Sequence, residues 1–216
     1  IQRKKKVGII EWVNNTTPFK ALIQSELPYD LFKGPAQQIH MELVAKYGGS
    51  SGSHPARYKK LNQRASRKVV VETYRDQLKT IDPMALSHSI QKLCTTSEAY
   101  FSIRSTFSKS LASFNICSYI LGIGDRHLEN FLLDVNTGDV VGIDFGHAFG
   151  SATESLPVPE LLPFRMTHQM TNMLPLGSDG LLKVAMIQTM RTMSHNKSVL
   201  LSIMDVFIKE PLVDWL

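Results

Sequence analysis

The apolar residues of this 216-residue chain change spacing several times, and each change marks an element boundary. Val7 to Val13 is a β-branched and apolar run, bounded by the turn and capping cluster Asn14-Asn15-Thr16-Thr17-Pro18. The expectation is a buried strand that leaves into a loop and then a helix. Between Phe19 and Tyr47 the spacing is helical, as in Leu22, Leu27 and Leu31, or Ile39, Leu43 and Tyr47. Gly48 to Pro55 is rich in Gly and Ser and reads as an exposed flexible loop. From Ala56 to Tyr119 the pattern is again helical. It is basic and polar through Lys68 and ends in a strongly apolar helix carrying Phe101, Phe107, Leu111, Phe114 and Ile120, which is expected to be core.

Gly122-Ile123-Gly124-Asp125-Arg126-His127 then breaks the helix, its glycines releasing the backbone from helical geometry. Phe131 to Val135 and Val140 to Ile143 are short β-type runs joined by Asn136-Thr137-Gly138, a hairpin signal. A loop rich in Gly, Ser and Pro follows Phe145 as far as Arg165, and helical spacing resumes to Phe207. No internal repeat is evident.

A hydrophobic content of 43% with 20% charged residues fits one globular domain or most of one. The net charge of +5 and isoelectric point near 9.2 permit attraction to nucleic acid or ATP without requiring it. Arg3 to Lys6 read as a solvated strand entrance rather than a nuclear-localisation patch. Cys94 and Cys117 lack CxxC spacing, which argues against a disulfide framework or a cysteine metal site and for a reducing compartment. No apolar run approaches the ~18 residues of a membrane span, and the first residues lack a secretory signal's hydrophobic segment. A soluble, non-secreted protein without a membrane partner is expected. The opening without Met and the apolar end at Trp215-Leu216 suggest a piece of a larger protein.

The chemistry lies in and beside the hairpin. With Thr137 at its centre, Asn130 stands seven positions before and Asp144 seven after, so strand pairing brings an amide and a carboxylate to one mouth. Neutral and anionic oxygens of this kind suit Mg²⁺, with phosphate oxygens completing its octahedron. Spacing alone therefore predicts a Mg-nucleotide site. Asp125 precedes Asn130 by five positions, the separation of the catalytic Asp and metal-binding Asn in the protein-kinase motif H-R-D-x-x-x-x-N. Asp144-Phe145-Gly146 supplies a third kinase part. Phosphoryl transfer asks mainly for positioning and for neutralisation of charge on the phosphate oxygens. Asp125 can orient a substrate hydroxyl, and His127 can accept a proton or bond the transferring phosphate. The sequence leaves the division of roles between these two open. Arg126 is expected to fix the loop through buried hydrogen bonds. Ordinary loop capping is the weaker reading for Asp125, His127 and Asn130; for Glu129 a solvated loop residue is the stronger one.

At these residues the sequence resembles the phosphatidylinositol 3-kinase-like superfamily, whose catalytic loop reads D-R-H-x-x-N. Asp125-Arg126-His127-Leu128-Glu129-Asn130 matches every defined position. The likeness continues through Ile143-Asp144-Phe145-Gly146, Pro163-Phe164-Arg165-Met166-Thr167 and Lys209-Glu210-Pro211-Leu212-Val213-Asp214-Trp215, and is weakest between Leu31 and Val69. Within the superfamily the chain is similar to the phosphatidylinositol 3-kinase-related protein kinases. Gly142 to Thr153 and Met204 to Pro211 resemble the branch that acts at DNA ends, whereas most related kinases have His where Gly142 stands.

The resemblance implies an α+β, protein-kinase-like fold. Residues 1–13 would be the end of the N-lobe and the hinge, and 14–216 a mostly helical C-lobe with catalytic loop 122–130 and activation loop 144–167. It implies ATP and Mg²⁺ as cofactors, with Asn130 and Asp144 on the metal. Glu11, Trp12 and Val13 would form the hinge against adenine, with Trp12 walling the pocket and Leu132 and Ile143 closing it from below; those two alone would otherwise read as core. It implies phosphorylation of Ser or Thr followed by Gln, a nuclear role in non-homologous end joining, and recruitment to DNA ends by the Ku heterodimer through regions outside this chain. The phosphate-covering loop and the ATP-binding Lys would precede residue 1, so the chain by itself is expected to be inactive.

Two rivals are weaker. A phosphoinositide kinase needs cations in its activation loop for headgroup phosphates, and His147 to Phe164 has no Lys or Arg and carries Glu154 and Glu160. A pseudokinase would be expected to lose Asp125, Asn130 or Asp144, and all three are present. Another kinase of the same family, in checkpoint or growth control, is the runner-up.

Overall fold

The computed structural model describes residues 11–30, 33–156, 160 and 162–209. Most of the expected strand Val7–Val13 and the segment Glu210–Trp215 lie outside the described residues. The described end of that strand, Glu11 to Val13, has no regular structure and is exposed. The first strand is instead β1 (Thr16–Pro18), inside the stretch read from sequence as a turn and cap. A three-residue strand ending in Pro gives no period of its own; it is defined by its partner, and Pro is tolerated there because β1 is an edge.

The sheet has the order β1-β2-β3, antiparallel throughout, with β2 at Phe131–Asp134 and β3 at Val140–Gly142. The helical body comprises α1 (Phe19–Gln24), α2 (Pro35–Gly48), α3 (His54–Arg64), α4 (Arg67–Lys79), α5 (Ala85–Leu93) and α6 (Ser97–Leu121). After the hairpin come α7 (Ala152–Ser155), α8 (His168–Met173), a π-helical turn (Ser178–Leu182) running into α9 (Lys183–His195), and α10 (Lys197–Lys209). The structure is thus helix-rich with one small sheet, as expected, and Gly49 to Ser53 form the exposed loop predicted there.

α6 is the spine. Thr96 caps its N-terminus by accepting from Ala99 N at 3.1 Å, and Gly122 ends it in a left-handed conformation at φ 58°. Its buried positions Ile103, Phe107 and Leu111, with Ser108, Ala112 and Asn115, make one face that meets β3, α8 and α9. Of the five residues expected in its core, Phe107 and Leu111 are buried and Phe114 half-buried. Phe101 and Ile120 are exposed, standing near the helix's two ends, before and after the buried run from Ile103 to Ser118. The core is centred on four aromatic rings from three elements. Phe19 of α1 stacks on Phe107 at 5.8 Å and on Phe131 of β2 at 5.6 Å, and Phe114 meets Phe131 edge-on at 5.3 Å. α2, α3 and α4 pack mainly on one another as an appended layer, and α4 buries no residue. The hairpin therefore rests directly on the best-packed part of the molecule.

Candidate functional site

The β2–β3 ladder pairs Phe131 with Gly142, Leu132 with Val141 and Leu133 with Val140. Its bonding continues one step outward, Ile143 N donating to Asn130 O at 3.2 Å. Asn130 therefore stands opposite Ile143, and Asp144 lies one residue further on, correcting the expected Asn130–Asp144 pairing by one position. Asp134 N bonds Asp139 O at 2.9 Å around a four-residue loop, so the hairpin's midpoint falls between Asn136 and Thr137 rather than on Thr137.

Alternation along the strands sorts the side chains into two faces. Phe131, Leu133 and Val140 belong to the core cluster. Asn130, Leu132, Val141 and Ile143 share the other face. Leu132 is 1% exposed and stands outside the core cluster. The sequence singled out Leu132 and Ile143 for this role and missed Val141, which the register places between them. Glu11, Trp12 and Val13 lie just before β1 with exposed side chains, Trp12 at 60%, and Val13 O accepts from Thr16 Oγ1 at 2.7 Å.

Gly122 to Asn130 has no regular structure and is held from several directions. Lys20 N of α1 donates to Leu128 O at 3.1 Å, and Gly124 N donates to His147 O at 2.8 Å. Phe149 N and Gly150 N donate to Leu121 O and Gly122 O at 2.8 and 2.9 Å, laying residues 147–150 along the loop's start. Arg126 is the centre of this arrangement. Its side chain is buried, Nε donating to Gly124 O at 2.8 Å, Nη1 to Ile143 O at 2.9 Å and Nη2 to Asp144 O. Its guanidinium also lies 5.4 Å from the Phe145 ring centroid. One side chain thus binds the 125–130 loop to the 143–145 segment, the role expected for it. Burial lowers the Arg126 pKa, and the carboxylates of Asp125, Asp144 and Glu160 oppose that shift.

Asn130 is buried, and its Nδ2 donates to Asp125 O at 2.9 Å, which fixes the amide and turns Oδ1 the other way. Asp144 is exposed, with one oxygen accepting from Gly146 N at 3.2 Å. Asp125 and Asp144 both adopt left-handed backbone, φ 57° and 56°, which Asp tolerates better than most residues. An exposed carboxylate one residue beyond the strand partner of an oriented amide is, by the chemistry of its oxygens, a donor set that fits a hard, phosphate-bound cation. His127 is exposed at the loop's tip, its Nδ1 3.9 Å from Glu129 Oε2. Glu129 is only partly the solvated residue expected, since it pairs with Lys20 Nζ at 2.5 Å. That hydrogen bond, then the lysine's charge and more weakly that of His127, hold its carboxyl below the usual range. Sequence spacing could not show this pairing, which spans 109 positions.

A groove of about 660 Å³ flanks the loop, walled by α4, residues of the 160–169 segment and the loop residues Ile123, Arg126 and Leu128. Neither Leu132, Val141 nor Ile143 lines it, so it is separate from the open face of the sheet.

A hairpin-borne amide, a D-R-H loop and a D-F-G turn locked by one arginine define a kinase-type site. The profile of the phosphatidylinositol 3- and 4-kinases matches residues 1–216, and the chain belongs to that family. The DNA-dependent protein kinase catalytic subunits of Dictyostelium discoideum and Gallus gallus are 42% and 39% identical to it. Each alignment takes in 97% of this chain and 5% of the relative's length. Among solved structures, the open conformation of CtTel1 superposes with a TM-score of 0.73 at 22% identity, over 94% of this chain and 7% of that one. The resemblance to the phosphatidylinositol 3-kinase-related protein kinases and the α+β fold expected from it are both borne out. Membership of the family implies ATP, with Mg²⁺, as the cofactors.

Proposed function

We propose that this chain is the hinge and C-lobe of an ATP-dependent Ser/Thr protein kinase acting on Ser or Thr followed by Gln. Residues 11–13 would be the hinge, 122–130 the catalytic loop and 144–167 the activation loop. The observation that carries the reading is the bridge made by Arg126, which with the Asn130–Asp125 bond gathers Asp125, Asn130 and Asp144 into one hydrogen-bonded unit.

In this reading Mg²⁺ bound to ATP supplies neutralisation of charge on the phosphate oxygens. Asn130 Oδ1 and the Asp144 carboxylate hold the cation. Leu132, Val141 and Ile143 form the apolar floor under adenine, and the backbone of Glu11 to Val13 bonds its edge while Trp12 walls it. Asp125 orients the substrate hydroxyl and takes its proton or shares that task with His127, whose exposed ring can reach an incoming phosphate. The activation segment argues for a protein rather than a lipid substrate, because its acids would repel a phosphoinositide headgroup.

By likeness to the DNA-dependent protein kinase catalytic subunits, the whole protein acts in the nucleus in double-strand-break repair by non-homologous end joining. It would be recruited to DNA ends by the Ku heterodimer through regions other than this chain. The test is an assay of the full-length protein with Mg-ATP on a Ser-Gln peptide, its Ser-Ala counterpart and phosphoinositide vesicles, with and without Ku and linear DNA. Gln-dependent peptide phosphorylation stimulated by DNA is expected. Peptide turnover indifferent to DNA would assign another kinase of the family, and lipid turnover would overturn the protein-kinase reading.

A further inference from the structure

Glu154 and Glu160 look alike in sequence, as two acids in a stretch, His147 to Phe164, without Lys or Arg, and the structure separates them. Glu154, in the short α7, is exposed. Glu160 is half-buried and turned toward the catalytic loop, where Oε2 accepts the backbone N–H of Asp125 at 2.8 Å. Gly124 makes this approach possible. A Cβ on it would lie 2.1 Å from Ala152 Cβ and 3.1 Å from Glu160 Oε2, so any other residue would push both α7 and the carboxylate away. The bond falls on a residue with φ 57°, a conformation that persists in a non-glycine residue only where its surroundings over-determine it. The same carboxylate is one of the three that offset the buried charge of Arg126.

We infer that Glu160 is a positioning residue that latches the distal part of the activation segment onto the catalytic loop and sets the backbone of Asp125. The loop then holds its working shape only while Glu160 lies against it. This inference rests on the kinase reading above, in which Asp125 meets the substrate hydroxyl. A carboxylate suits the task because it accepts from a backbone donor while its charge offsets that of the buried Arg126. An amide would keep the acceptor and lose the charge, and a methyl group would lose both.

The experiment compares Glu160→Ala, Glu160→Gln and Glu154→Gln in the full-length protein. It uses steady-state kinetics on the Ser-Gln peptide and hydrogen exchange of the peptide spanning residues 121–130 without substrate. Glu160→Ala is expected to lower kcat about 10- to 100-fold, the scale of a misplaced reacting group, with KM for ATP unchanged. Its catalytic-loop peptide should exchange faster. Glu160→Gln should recover most of the rate, and Glu154→Gln should match wild type in both measurements. Unchanged exchange in Glu160→Ala, or faster exchange with undiminished kcat, would overturn the latch. If wild type transfers phosphate to no peptide, the proposed function fails, while the exchange measurement still decides the latch. If Glu160→Ala does not fold, Glu160→Asp takes its place, its shorter side chain withdrawing the acceptor from Asp125 N, and the same two outcomes decide the latch.

Discussion

Gly142 and the ring of Phe114 occupy adjoining space so closely that a Cβ on Gly142 would lie 2.1 Å from Phe114 Cε2. The ring is itself held by its edge-on contact with Phe131. Gly142→Ala should therefore destabilise the protein by about 1–3 kcal/mol, the cost of overpacking, and Gly142→His by more. Phe114→Ala should make Gly142→His tolerable, so the two changes are non-additive in chemical denaturation. The ring of Phe114 leaves no room for a side chain here, a physical reason for Gly at this position. A neutral Gly142→Ala would refute this packing argument.

Arg126→Lys keeps a positive charge and loses the planar fork that reaches three carbonyls. At least two buried acceptors would lose their donor, at about 1–3 kcal/mol each. Thermal unfolding should show a loss on the order of 2–5 kcal/mol, and kcat should fall with it because both loops are released. A variant with wild-type stability would show that the bridge is dispensable.

Asp144 separates chemistry from folding. Its side chain is exposed, so Asp144→Asn should unfold like wild type while transfer drops by at least about 10²-fold, for want of a charged metal ligand. Asp144→Ala should also abolish transfer but cost about 1 kcal/mol, because Ala fits left-handed backbone poorly. Full residual kcat in either variant would remove Asp144 from the metal site.

The Lys20–Glu129 pair predicts a pH dependence. Its carboxyl is held below the ordinary value near 4.5, chiefly by the hydrogen bond and charge of Lys20. A depressed folded-state pKa adds stability that is fully present above the unfolded value and lost as pH falls through the folded one. The stability difference between wild type and Glu129→Gln should thus be constant above about pH 5.5 and vanish as acid titrates Glu129. High salt should shrink it at every pH, since the pair is exposed. A difference unchanged at low pH would mean the pair adds nothing.

Local signals carried much of the fold and site. The helical body, the hairpin and the fixing role of Arg126 were legible because each depends on spacing or on residues close in sequence. Counting positions misplaced Asn130 and Asp144 by one, since a four-residue loop has no central residue and only hydrogen bonding sets the register. Thr16 to Pro18 was misread because a three-residue edge strand exists only through β2. Phe101 and Ile120 were expected in the core because apolarity marks a helix without showing how much of its length its neighbours cover. Glu160 carried no signal as a partner of Asp125, 35 positions away, because only the folded activation segment brings them together.

The two-faced hairpin divides the tolerance of the site to change. Substitutions at Phe131, Leu133 or Val140 act on the core cluster, whereas in the proposed reading those at the half-buried Val141 and Ile143 meet the nucleotide first. Drug resistance to a compound seated on that face would therefore arise most readily at Val141 and Ile143, whereas Leu132, 1% exposed, is held as firmly as the core beside it. The hairpin thereby lets selection tune ligand preference and fold stability almost independently.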